Sequence, residues 1–171
     1  MKKLVLFAVL SSALLGTTLV WAESQPLSDA QINAIRANCS SAQVNLRRIQ
    51  QSEKPTRINR GYLYESTLRL MVAFNTRVAQ NKVDAQDMLT ITSEFEKNFQ
   101  DFSKLYSEYD DGLSGLIKLT CRDNPTGFYD QLEEARSQRN TLNNYTITLD
   151  QLLDQYQKNL DIIKSGLGVS S

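Results

Sequence analysis

Apolar residues recur along this chain at alternating spacings of three and four, the repeat that lays one continuous stripe along a helix. Ile32, Ile35, Cys39, Ala42, Leu46 and Ile49 form the first stripe, and Leu68, Met71, Val72 and Val78 resume it beyond Pro55 as far as Lys82. A second stripe runs through Met88, Thr92, Phe95, Phe99, Phe102, Tyr106, Tyr109, Leu113, Leu116 and Thr120. A third runs through Phe128, Leu132, Ala135, Arg139, Leu142, Thr146, Leu149, Leu153, Tyr156, Leu160 and Ile163. No segment alternates polar and apolar residues in the period of two that a half-buried strand requires. The pattern predicts an all-α protein of long helices with coiled-coil-like packing.

Start signals sit at the heads of these stripes. Ser28 reads as an N-cap, Gln31 completes a capping box, and Leu27 can staple onto Ile32. Asp84 reads as the next cap, with a Val83–Met88 staple. Asn124 followed by Pro125 supplies a polar cap ahead of a proline in the first turn. Asn143 to Thr148 is polar and β-branched, and Thr148 to Gln151 is a further capping box, so the last helix is expected to pause there. Residues 165–171 read as a frayed, flexible tail, which leaves residues 23–164 as one helical bundle domain.

The N-terminal segment has a different character. Lys2 and Lys3 precede an apolar run from Leu4 to Val20, and Val20-Trp21-Ala22 places small or aliphatic residues around a cleavage point. Residues 1–22 therefore read as a secretory signal peptide cleaved after Ala22, giving a secreted, periplasmic or cell-envelope protein. An uncleaved segment would be an anchor, and it is the one route to the membrane that the sequence offers.

Composition removes several classes of function. The chain has no histidine, so it has no imidazole base for a Ser-His-Asp or Cys-His arrangement and no His-ligated metal. Lys and Arg number 19, as do Asp and Glu, a balance that argues against nucleic acid as a partner. No cofactor or metal is expected, and an enzyme is disfavoured.

Export changes how the two cysteines read. In an oxidising compartment Cys39 and Cys121 are most simply one disulfide. That pairing chooses a topology. If the chain turned at Pro55 into a four-helix up-down bundle, a rise of about 1.5 Å per residue would leave Cys121 about 39 Å above Cys39 along the bundle axis. If residues 28–82 form one long helix, kinked or not at Pro55, the gap shrinks to about 10 Å, which loop geometry can absorb. A long antiparallel three-helix bundle is therefore expected, with the four-helix bundle as the alternative.

Candidate chemistry is sparse. Phe95, Phe99, Phe102, Tyr106 and Tyr109 form an aromatic ladder at seam spacing, which reads as core; a cavity among Phe99, Phe102 and Tyr106 would instead favour a small-molecule or lipid carrier. Arg47, Arg48, Lys54, Arg57 and Arg60 form the one basic cluster, level with Glu108, Asp110 and Asp111 on one neighbour and Asp130, Glu133 and Glu134 on the other. It reads as a belt of surface ion pairs setting helix register, the alternative being a patch for an anionic partner such as membrane phosphate or cell-wall polymer. Arg139 on the seam is expected to snorkel outward, the alternative being a paired, partly buried charge that fixes register. Tyr129, Tyr145 and Ile147 lie off the seam of the last helix and are the candidate partner-binding residues, with Tyr145 as anchor.

Cys39-Ser40-Ser41, Arg57-Ile58-Asn59-Arg60-Gly61 and Phe74-Asn75-Thr76-Arg77 resemble segments of uncharacterised secreted all-helical proteins of bacteria. The resemblance spans most of the chain beyond the signal segment and implies a fold, not an activity. The expected function is a non-enzymatic interaction or structural module, with a holdase-like role among its forms, that binds a protein partner in the envelope or outside the cell.

Overall fold

The computed structural model describes residues 26–166. The expected signal peptide lies outside the described residues, as do residues 167–171 of the expected tail. Among the described residues three helices follow one another: α1 (Asp29–Gln80), α2 (Gln86–Lys118) and α3 (Pro125–Gly166). The protein is all-α, and the three helices form a long bundle.

Hydrogen bonds between helices define the topology. From α1 to α2 the sequence separation of bonded residues falls from 74 at Gln43–Ile117 to 17 at Asn75–Thr92, so these helices run antiparallel. From α1 to α3 it stays nearly constant, 86 at Tyr64–Asp150 and 85 at Met71–Tyr156, so these run parallel. The chain goes up, down and up again. The four-helix alternative is excluded because α1 continues unbroken through Pro55. Pro55 is exposed, so the Gln51 carbonyl that loses its intrahelical donor faces water rather than the core.

Helix starts follow the local chemistry. Ser28 and Gln31 form the capping box ahead of α1. Asn124 accepts from the Gly127 N–H at 3.0 Å, with Pro125 in the first turn of α3. At α2 the expectation shifts by one residue. Ala85 is the N-cap, and Asp84 accepts the Gln86 N–H at 3.2 Å from outside the helix. The expected pause at Asn143–Thr148 does not occur, and α3 runs through it. Thr146 bonds back to the Leu142 carbonyl at 3.1 Å, which satisfies its hydroxyl inside the helix and removes the reason to break. Ser165 and Gly166 also belong to α3 rather than to a tail.

The core is filled from heptad positions. Met88, Phe95, Phe102, Tyr109 and Leu116 are buried along α2, and Phe128, Ala135, Leu142, Leu149 and Tyr156 along α3, each series seven residues apart. In α1 the series is interrupted. Cys39 and Leu46 are buried, and the next buried heptad is Tyr64, Met71 and Val78, displaced by four residues from the first. The displacement falls in the Glu53–Arg57 turn that contains Pro55. An insertion of four residues into a heptad pattern is a stutter, which locally unwinds the supercoil. It corrects the expected seam: Val72 is half exposed, and Tyr64 and Asn75 hold the buried positions instead.

Two layers tie the upper bundle together. Tyr64 packs edge-on against Phe95 and Phe102, with ring centroids 5.9 Å apart in each pair, and donates to Asp150 at 3.1 Å. Asn75, only 4% exposed, donates to Thr92 at 2.8 Å and accepts from the Tyr156 hydroxyl at 2.9 Å. One side chain from each helix thus completes a buried polar layer, and such a layer disfavours sliding of any helix, because a slip would leave its members unpaired.

The lower end is held covalently. Cys39 and Cys121 form a disulfide with Cα atoms 5.6 Å apart. Gln43 beside it donates to the Leu119 carbonyl at 2.9 Å, satisfying a chain end just past α2.

Two outcomes are expected from this arrangement. The bridge spans a sequence separation of 82, for which restriction of the unfolded chain implies about 4–5 kcal/mol. Reduction should therefore lower the melting temperature by about 10–15 °C while far-ultraviolet circular dichroism at 25 °C stays helical. Asn75→Ala should cost about 1–3 kcal/mol by leaving buried partners unpaired. A double-mutant cycle with Tyr156→Phe should then give less than the sum of the single losses.

Candidate functional site

The helices do not pack equally. α2 lies closely against both neighbours, while α1 and α3 meet least. The face between α1 and α3 is consequently open, and it carries a polar notch between two apolar grooves.

The notch lies at the stutter. Glu53 of α1 is turned inward, its side chain 18% exposed; it accepts from the Tyr109 hydroxyl at 2.9 Å and pairs with Arg139 of α3 at 2.5 Å. Arg57 stands over the Tyr109 ring, 5.9 Å from its centroid. Arg57 and Asn143 wall two adjoining clefts of about 220 and 360 Å³, which also take in Arg60 and Thr146 on one side and Asn140 and Asn144 on the other. Arg139 is therefore an interhelical partner of Glu53 with its side chain 53% exposed, not an unpaired snorkelling residue.

The expected belt of ion pairs is largely absent. Of the five basic residues, Lys54 alone reaches an acid on a neighbouring helix, Asp110 at 3.0 Å. That contact holds the Lys54 ammonium above its usual pKa, chiefly through the hydrogen bond and the charge of Asp110. Arg48 donates to Asn45 on its own helix. Glu108 and Glu133 instead pair within their own helices, with Lys104 and Arg136. Residues three and four apart on a helix are within reach, so these two acids of the expected belt are taken by bases of their own helices.

Below the notch a groove of about 240 Å³ is lined by Leu46, Ile49, Phe128, Leu132 and Ala135, among others. Above it a wider groove of about 620 Å³ is lined by Leu70, Phe74, Leu153 and Leu160, with Arg77 on its α1 wall and Asp154 on its α3 wall. Leu70 is 71% exposed, and Leu63, two turns back on the same side of α1, is 60% exposed.

The residues singled out on α3 do not form one surface. Tyr129 and Tyr145 are half-buried, and Tyr145 packs against the core. Ile147 is 48% exposed. Positions two apart on a helix point to opposite sides, so Tyr145 and Ile147 cannot anchor the same partner. Ile147 lies two turns before Asp154 and shares its face, which places it toward the open side. The aromatic ladder is core as expected: Phe95 and Phe102 are fully buried, and Tyr106 stacks on Phe102 at 6.4 Å. Phe99, Phe102 and Tyr106 line none of the clefts and grooves described above.

Among the described residues, no group of three or more His, Cys, Asp or Glu side chains is placed to hold a metal ion, and no helix is long and apolar enough to cross a membrane. No family model, no curated protein and no solved structure significantly matches the chain.

Buried tyrosines give the protein a defined alkaline limit. Burial, reinforced by Asp150, pushes Tyr64 up to about 12, and burial alone pushes Tyr156 up to about 12. Burial and then the Glu53 hydrogen bond raise Tyr109 further. A tyrosine raised in the folded state stays protonated where the unfolded chain has ionised. Its contribution is complete below about pH 10 and is lost as pH rises toward the folded value. The melting temperature should hold up to about pH 10 and then fall steeply toward pH 12, with a shallower fall in Tyr109→Phe.

Proposed function

We propose that this protein is a non-enzymatic interaction module of the cell envelope or extracellular space, which binds a protein partner by accepting one of its helices along the α1–α3 face. The observation that carries this reading is the upper groove. It is apolar, it lies between two parallel helices, and its Leu70 is 71% exposed. A groove between two helices is the seat that a further amphipathic helix completes. The closed disulfide fits an oxidising compartment. The filled Tyr64–Phe102 layer supports surface contact over an interior carrier role.

The groove walls specify the occupant. Arg77 borders the α1 side and Asp154 the α3 side, with Asp161 two turns from Asp154's own turn on the same face. The partner helix therefore carries an apolar stripe flanked by acidic residues toward α1 and basic residues toward α3, a charge arrangement that also sets its direction. Ile147 extends the contact toward the notch. A holdase would use the same apolar face with looser selection.

A photo-crosslinking residue placed at Leu70 in the native compartment tests this. The expected result is one protein adduct whose crosslinked segment, located by mass spectrometry, is an amphipathic helix with that charge pattern. The same probe at exposed Lys97 on α2 should give none. Leu70→Glu should abolish capture without changing the melting temperature. Absence of an adduct, or equal adducts at Lys97, would overturn the proposal; an adduct to a second copy of this chain would assign the groove to self-association instead.

A further inference from the structure

The polar notch is chemically distinct from the groove above it and calls for a different ligand. A bundle seam ordinarily buries apolar side chains, yet for more than two turns this one presents Glu53 and Arg57 on α1 against Arg139, Asn143 and Thr146 on α3. Part of that set is internally satisfied. Glu53 takes both Arg139 and the Tyr109 hydroxyl, so its charge is matched. Arg57 and Arg60 are then left. Among the described residues, neither has an acidic oxygen within ion-pair distance. Asp150 accepts from the Tyr64 hydroxyl and lies outside ion-pair distance of both arginines. The cross-helix belt that would have neutralised these arginines does not form.

We infer that the notch binds a phosphate group. Arg57 and Arg60 of α1 line one cleft with Asn143 of α3, and Arg57 and Asn143 line the adjoining one with Asn140 and Asn144. Guanidinium forks match phosphate oxygens in paired hydrogen bonds, and side-chain amides can donate to the remaining oxygens or to hydroxyls of whatever carries the phosphate. A carboxylate offers two oxygens, and Glu53 fills both, one with Arg139 and one with the Tyr109 hydroxyl. A tetrahedral dianion can use donors from both walls of such a cleft. The clefts of about 220 and 360 Å³ on either side of Arg57 and Asn143 give room for the group and its first substituents. The phosphate can be free or can belong to a phospholipid headgroup, since the donor set reads the group and not its carrier. This inference does not depend on the helix-binding groove, which is built from other residues.

The test is a titration of the purified protein with sodium phosphate at constant ionic strength, followed by the guanidinium and side-chain amide signals in nuclear magnetic resonance, with sodium chloride as control. Phosphate should shift Arg57, Arg60 and Asn143 saturably, and chloride should not. Arg60→Gln, at an exposed position, should keep the melting temperature and weaken phosphate binding about tenfold, the loss of one charge-assisted contact. Arg47→Gln, in the same basic cluster but outside the notch, should leave binding unchanged. Co-sedimentation with phosphatidylglycerol vesicles separates the sources. Vesicle binding lost in Arg60→Gln assigns the site to a headgroup, and phosphate binding without vesicle binding assigns it to a soluble phosphate. Equal shifts with phosphate and chloride would overturn the inference, as would equal weakening by Arg47→Gln and Arg60→Gln.

Discussion

The mismatch between the repeat of α1 and the repeats of its neighbours shapes the rest of the molecule. α2 and α3 keep strict heptads from end to end, and α1 shifts phase by four residues beside Pro55. Helices with the same repeat keep their stripes facing along a common supercoil, whereas a helix that stutters turns its stripe relative to them. α2, whose apolar face is the strongest, stays packed on both partners. The slack appears between α1 and α3. At the stutter itself the α1 seam is taken by polar residues: Glu53 turns its carboxylate in to Arg139 and the Tyr109 hydroxyl, and Arg57 stands over the Tyr109 ring.

Much of this was legible in the sequence. Helix number, the turns at Lys82 and Asn124, the direction of each helix and the disulfide all followed from heptad spacing, capping residues and a rise per residue. The bridge mattered most, because it is a distance constraint between residues far apart in the chain, and only one way of folding the first stripe satisfied it. The stutter was also written there, in the four-residue displacement between Leu46 and Met71 counted in sevens, but the Val72 position obscured it. Apolar identity alone does not say which of two adjacent residues faces inward.

What sequence reasoning missed is polar. Asn75 and Tyr64 are buried by the partners they meet: Asn75 by Thr92 and Tyr156, Tyr64 by three rings of α2 and by Asp150 of α3. Those partners come from other helices, so no local spacing announces them. The same limit applies to the basic cluster. Level heights made a cross-helix belt plausible, but an ion pair also depends on which way a side chain points around the helix. Lysine and arginine found acids three or four residues away more readily than across the bundle.

The open face is more than a local packing fault, because α1 is pinned at both of its ends. The Cys39–Cys121 bridge and the Gln43–Leu119 bond fix its lower half against α2, and the Asn75–Thr92–Tyr156 layer fixes its upper half against both neighbours. Between two such anchors a stuttering helix cannot slide or rotate to close its gap without breaking a covalent bond or stranding a buried amide. The gap is therefore held at a set width and a set chemistry: apolar where α1 is in phase with its own stripe, polar where it changes phase. A cleft held open by its scaffold meets a ligand without first reorganising, and that is the condition under which a few exposed side chains can give selective binding.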